Sequence, residues 1–519
     1  MKVQQISQHQ NYNKNNNRQT FTGAADTAVQ LLRFLDTNQA WGATAVDFSC
    51  MVAPRTLTDF TRGPAAGVET LRREASGTVN HAAVGLVYGP LAGMLLAAAV
   101  NSKYGIKAQN IYADSDAVDI LSKFRYDVLK SDSSDNAIDY AKRVASSISS
   151  GDGKKFLSED AGEKFARTLA KEIKSPDKAN KAMLKNIVLS DLGEEANILL
   201  KSGEKEVKTS LNDIVDNITS MSKALFKDKV VESFNHAAKF EDVNFVKTLK
   251  NFGLRRSLLG LGIASAIGCC IQPFNIYLTK KKTGSDGFVG VEGREKDKSA
   301  GFMALKTGVA AAFGTMVYGL ITKFNPKNFL PNIQYKGITP TLNQFKLVYG
   351  LTIMSRFLAA RDKDELREAT VKDTLGYLSW LVFGNFVARG TLKALDKNLI
   401  GKTRDEVLYG ALKKAGISTV KDGKALPFKE LLKLLPKTDK AARKSLRYLN
   451  IAQLAGYAFS GIVLGVGIPK LNIYMTKKSE QKRAQLRAMN PANNMLKPEN
   501  IAFLSSQMSF TSNKLLGKD

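Results

Sequence analysis

Acidic side chains are missing from every long apolar run of this chain. No Asp or Glu occurs in 82–100, 257–278 or 448–469, nor in the shorter runs 307–322 and 374–388. Proton- and cation-coupled carriers commonly place a carboxylate inside the membrane, so this absence argues against proton-coupled transport. Cysteine is equally scarce. Cys50, Cys269 and Cys270 give neither a disulfide framework nor a zinc spacing. The three histidines, His9, His81 and His236, stand far apart in the sequence and complete no metal-ligand motif. A phosphate loop, a zincin helix, a C-x-x-C pair and a nucleophile elbow are all missing. The expectation is a chain that needs no cofactor or metal. Residues 1–20 hold no apolar stretch of signal-peptide type and read as a disordered, Asn- and Gln-rich tail.

What is present is segregation. A helix crossing hydrocarbon needs roughly 20 largely apolar residues. The runs 82–100, 257–278 and 448–469 meet that length without a charge. The run 307–322 is bounded by Lys306 and Lys323, whose stems can reach the interface, and 374–388 is bounded by Asp373 and Arg389. The block 345–360 carries Lys346 and Arg356 and reads as an interfacial or partner-packing helix, with a span as the alternative. The fold class expected is all-α: a polytopic helical membrane protein with about five spans, three to six as the range, and a soluble helical insert.

The net charge of +28 raises the question of a nucleic-acid partner, and its distribution answers it. Between Asn101 and Lys250 there are 25 basic and 24 acidic residues, so the excess lies almost wholly beside the apolar runs. Anionic lipid headgroups, rather than a nucleic acid, are the partner this pattern suits. Residues 101–250 repeat apolar positions at three- and four-residue intervals and read as an all-helical soluble insert, which is the place for a protein partner. The division expected is a tail at 1–20, an amphipathic segment at 21–81, a membrane helix at 82–100, the insert at 101–250 and a membrane region at 254–393. A basic helical segment at 394–447, a membrane helix at 448–469 and a mostly irregular tail at 470–519 complete it. Leu431, Leu432, Leu434 and Leu435, interleaved with lysines, suit either a membrane surface or a small hairpin packed on the bundle.

Small residues recur at spacing four: Gly85, Gly89 and Gly93; Gly260, Ala264 and Gly268; Ala452, Gly456 and Ser460. Such stripes allow helices to approach closely in lipid, so Gly85, Gly89, Gly93, Gly260, Gly268 and Gly456 are the expected helix-packing positions. The pair Asn-Ile-Tyr-Leu-Thr-Lys-Lys (275–281) and Asn-Ile-Tyr-Met-Thr-Lys-Lys (472–478) closes two apolar runs. Its Tyr277, Lys280, Lys281, Tyr474, Lys477 and Lys478 read as interface residues where a helix leaves the bilayer.

Residues 54–81 gather Arg55, Asp59, Arg62, Glu69, Arg72, Arg73 and Glu74 before the first apolar run. Their spacing suits helical salt bridges, Glu69 with Arg73 and Asp59 with Arg62. His81, Arg73 and Glu69 are the catalytic candidates if the stretch instead binds a lipid or phosphate ester. The functional reading is a non-enzymatic multi-spanning membrane protein whose insert binds or scaffolds. A transporter or channel component is the alternative, and a membrane-embedded enzyme acting on lipid or a phosphate-containing substrate is the third.

Overall fold

Gly63, at φ +136°, turns the chain sharply before Pro64, whose missing amide costs nothing in the first turn of a helix. From that turn one helix runs through the charged stretch and the first apolar run together. The computed structural model describes residues 22–489, apart from residue 38, 132–134, 196, 285–295, 380–382, 422–423 and 437–438. The polar tail at 1–20 and residues 490–519 therefore lie outside the described residues. The chain is mostly helical.

Among the described residues, eight helices form the bundle: α1 (39–60), α2 (Pro64–Tyr104), α3 (Asn244–Thr283), α4 (Ala300–Thr322), α5 (Leu342–Ala359), α6 (Lys363–Leu378), α7 (Gly384–Leu395) and α8 (440–489). By length and composition, α2, α3, α4 and residues Lys440–Lys482 of α8 can each cross a membrane. At ~1.5 Å per residue, 40 residues reach about 60 Å, twice the ~30 Å of hydrocarbon. The apolar run is thus only one half of α2 or α3. The segment expected at 21–81 does not end where the membrane helix begins, because α2 is continuous through both.

Three further expectations change. The run 374–388 is divided between α6 and α7, with 380–382 outside the described residues. The block 345–360 is α5, which packs against α3 and α4 and buries Phe345, Val348, Tyr349, Ile353 and Phe357. It is a core helix and not an interfacial one; Arg356 is paired inside the bundle rather than solvated. Residues 468–489 are helical, so the tail expected at 470–519 begins later.

The insert lies between Gly105, a left-handed C-cap, and Asn244, where α3 begins. It is helical but not all-helical. A three-stranded antiparallel sheet joins Ile148–Ser150, Ile198–Ser202 and Lys205–Thr209, with Leu200 opposite Val207. Gly203 at φ +60° makes the hairpin turn. Strands of three to five residues, one with Ile198, Leu199 and Leu200 all buried, give no alternation to detect. Asp114, Asp135, Asp177 and Ser210 each accept a backbone N–H at a helix N-terminus.

The insert is continuous with the bundle. Val100 and Tyr104 of α2, and Phe245, Leu249 and Phe252 of α3, belong to its core. The loop 334–341 docks on it as well: Asn217 Nδ2 donates to the Lys336 carbonyl at 2.7 Å, and the Gln334 side-chain oxygen accepts from Ser115 at 2.9 Å. The second polar segment sits at the same end. Its Leu408, Leu412, Phe428, Leu431 and Leu435 form a separate core, and Tyr409 lies against Gly193 of the insert. Leu431 and Leu435 therefore face protein and not a membrane surface.

Candidate functional site

At the far end of the bundle from the insert, charged side chains of α1, α2, α5 and α6 turn inward. Arg55 of α1 and Arg356 of α5 share the same two carboxylates. Arg356 Nη1 lies 3.2 Å from Glu74 and 3.3 Å from Asp373; Arg55 Nη1 lies 3.7 and 3.5 Å from them. All four are buried.

Two more pairs cross between the same elements. Arg62, in the α1–α2 turn, donates to Glu368 of α6 at 2.6 Å. Arg361, in the α5–α6 turn, donates to Glu69 of α2 at 2.9 Å and forks onto Glu365 at 2.9 and 3.0 Å. Burial works against the Arg361 charge, but Glu365 and Glu69 outweigh it and hold the guanidinium above its ordinary pKa. Asp59 accepts from Thr70 at 2.6 Å, and Asp47 from Thr78 at 2.6 Å.

The contacts are reciprocal. The turn arginine of the first unit (α1, α2, α3) binds the second unit, and the turn arginine of the second unit (α5, α6, α7, α8) binds the first. Leu-Arg-Arg-Glu-Ala-Ser (71–76) on α2 is echoed by Leu-Arg-Glu-Ala-Thr (366–370) on α6. Each stretch also binds its own long helix in the same way: Arg72 donates to Thr279 at 2.9 Å, and Arg367 to Thr476 at 2.7 Å. Those threonines belong to the paired 275–281 and 472–478 motifs. Their Asn275, Thr279, Asn472 and Thr476 are buried, four residues apart on the inward face. Tyr277 and Tyr474 point outward, 59% and 61% exposed, and Lys280, Lys281, Lys477 and Lys478 are exposed.

Two of the three catalytic candidates come together. Glu69 and Arg73 line a cavity of about 40 Å³, with Asp59, Arg62, Thr70, Gln272 and Lys372 among its other walls. That volume suits water, which needs ~10–15 Å³, rather than an organic substrate. His81 does not line it. Its ring is buried edge-on to Tyr349 at 4.8 Å and 6.1 Å from Phe345, and neither nitrogen has a hydrogen-bond partner. Of the two expected salt bridges, Asp59 with Arg62 forms, and Glu69 with Arg73 is replaced: Glu69 pairs with Arg361, and Arg73 with Glu74 at 3.1 Å. Asp59 and Arg62 stand 3.9 Å apart, while Glu368 is the closer partner of Arg62. The described residues contain no group of three or more His, Cys, Asp or Glu side chains arranged to hold a metal.

Sequence reasoning passed over the α5–α6 half of the cluster. Its signal was the charge density of 361–373 and the Leu-Arg-Glu echo, both readable without the fold.

The small-residue stripes serve two purposes. A Cβ on Gly456 would lie 2.8 Å from the Gly384 carbonyl oxygen, and one on Gly268 would collide with Thr352 Oγ1. These are helix contacts, α8 on α7 and α3 on α5. Gly85, Gly89 and Gly260 instead admit the loop 334–341, with Tyr335 or Ile338 as the near neighbour, and Gly93 lies against Arg256. The chain matches no family model, no curated protein and no solved structure.

Proposed function

We propose that this chain is a non-enzymatic integral membrane protein, held in one arrangement by the ion-pair cluster, with the insert as its surface for a protein partner. The observation that carries this reading is the closure of the cluster on itself. Arginines of two helices and two turns are matched to carboxylates on facing helices around a cavity of water size. Buried ion pairs add little net stability, because desolvation offsets their attraction, and their best-attested use is to fix which elements meet. The exposed lysines that follow Tyr277 and Tyr474 suit anionic headgroups at the same end. Carbonate extraction tests integration: the chain is expected in the pellet, and release to the supernatant counts against it.

One observation favours transport as the second reading. Reciprocal contacts between two units of the same sense resemble the arrangement in which a carrier opens and closes along a repeat interface. That reading requires the cluster to open. Hydrogen exchange of 64–81 and 363–378 separates the two: lasting protection supports the fixed clasp, and exchange within seconds supports an opening gate.

A further inference from the structure

At the insert end, a groove of about 970 Å³ runs between α2 and the insert helix Leu211–Leu225. Its size lies at the upper end of the ~300–1,000 Å³ typical of small-molecule sites. The two walls differ in chemistry. On one side stand Pro90 and Met94 of α2 and Ile338 of the docking loop. Met94 is 61% exposed and continues into an outward apolar face formed by Leu86, Val87, Leu91 and Leu95. That face is where α2 would meet lipid.

The insert side carries Lys223 and Lys227 beside Asn217 and Ser220, and Lys107 lines the groove just past the end of α2. Lys223 is held by Glu172 at 2.6 Å, whereas Lys107 and Lys227 make no ion pair among the described residues. Neither carboxylate of the groove forms an ion pair with them. Asp216 is taken by Lys181 at 2.7 Å and Lys185 at 3.2 Å, and Asp213 accepts from Ser210 at 2.8 Å. Unpaired ammonium groups beside the exposed apolar face of α2 form an amphipathic slot.

We propose that this groove binds one anionic glycerophospholipid drawn sideways from the bilayer. Its phosphate is held by Lys107 and Lys227, and the upper part of its acyl chains lies against Pro90 and Met94. A free phosphate would use only the polar wall, and a zwitterionic lipid would bring its choline cation against the two lysines. The proposal rests on α2 being a membrane helix.

The test uses the full-length protein in detergent, titrated with dihexanoyl phosphatidylglycerol, dihexanoyl phosphatidylcholine or glycerol phosphate and followed by calorimetry. Saturable binding of the phosphatidylglycerol is expected, roughly tenfold or more tighter than the phosphatidylcholine. The K107E/K227E protein should lose that preference, while K164E/K171E, altered on an exposed insert face away from the groove, should keep it. Circular dichroism confirms that each variant is folded. Equal affinity for the two lipids, unchanged binding by K107E/K227E, or glycerol phosphate bound as tightly as the lipid would each overturn the proposal. A carbonate-resistant chain without headgroup preference removes the groove alone, and a carbonate-soluble chain removes the membrane reading with it.

Discussion

Arg356 is the residue on which most of the cluster depends, because it lies within about 3.3 Å of two buried carboxylates at once. Its truncation in Arg356→Ala leaves Glu74 and Asp373 buried and short of a cation. Breaking a buried pair by removing one partner costs about 3–5 kcal/mol, and a loss of that size is expected in chemical unfolding of the detergent-solubilised chain. His81 should behave oppositely. Both of its ring nitrogens lack partners, so His81→Leu is expected to change stability by less than about 1.5 kcal/mol. A large loss of stability would mean that the ring has a polar partner after all.

Asp135, at the start of the insert helix Asn136–Ser146, offers a pH test. A hydrogen bond from Lys174, then one from the Ile138 amide, hold its carboxyl below the usual range. A depressed carboxyl contributes stability above its unfolded pKa of about 4, and that contribution fades as pH falls through the folded value. Asp135→Ala should therefore speed exchange of that helix at pH 7 and make little difference near pH 2. An effect of equal size at both values would rule out the ionised cap. At this scale the sequence exposed the charged stretch 54–81, but the nearest partner of Glu69 lies 292 residues away. Local spacing could offer only neighbours such as Arg73.

At the scale of elements, helix contacts are set by where side chains are missing. Gly456 and Gly262 make a matched comparison. A Cβ at Gly456 meets the Gly384 carbonyl oxygen at 2.8 Å, whereas one at Gly262 meets nothing within 4 Å. Gly456→Ala should cost about 1–3 kcal/mol through overpacking. Gly262→Ala should be neutral or gain up to about 1 kcal/mol from restricting the unfolded chain. Equal effects in unfolding experiments would deny the close approach of α7 and α8. The apolar runs were legible because length and lack of charge are composition. The true ends of α2 and α3 were not, since each helix continues through a polar half whose partners lie far off in sequence: Glu69 and Glu74 of α2 meet Arg361 and Arg356, and Lys250 of α3 meets Asp119 of the insert. The insert's sheet escaped notice because its strands are short and Ile198–Ser202 is buried at consecutive positions.

At the scale of the molecule, the chain passes back and forth between two ends. Arg33, in the helix Thr22–Thr37, binds Asp405 at 2.6 Å and also Glu195, which ties the start of the bundle to both polar segments. From there α1 runs to the cluster, α2 returns to the insert, and α3 comes back to Thr279. The Asp297 amide donates to the Arg361 carbonyl at 2.8 Å, so α4 starts at the cluster and ends at the docking loop 334–341. α5 returns, α6 and α7 lead to the second polar segment, and α8 comes back past Glu368, which it meets through Thr476. The paired motifs at 275 and 472 therefore mark equivalent returns to the cluster end. Sequence alone suggested their exit from the bilayer through Tyr and Lys. Their inward Asn and Thr became visible only when the arginines of α2 and α6 were placed beside them.

The most direct measurement is cysteine labelling in sealed vesicles of one orientation, with Cys50, Cys269 and Cys270 replaced by Ser. Single cysteines are introduced as Lys164→Cys in the insert, Lys429→Cys in the second polar segment and Lys281→Cys beyond the cluster. An impermeant maleimide should modify positions 164 and 429 from the same side and position 281 only from the other. Labelling of all three from one side of intact vesicles would contradict a bundle that crosses the bilayer between its two ends.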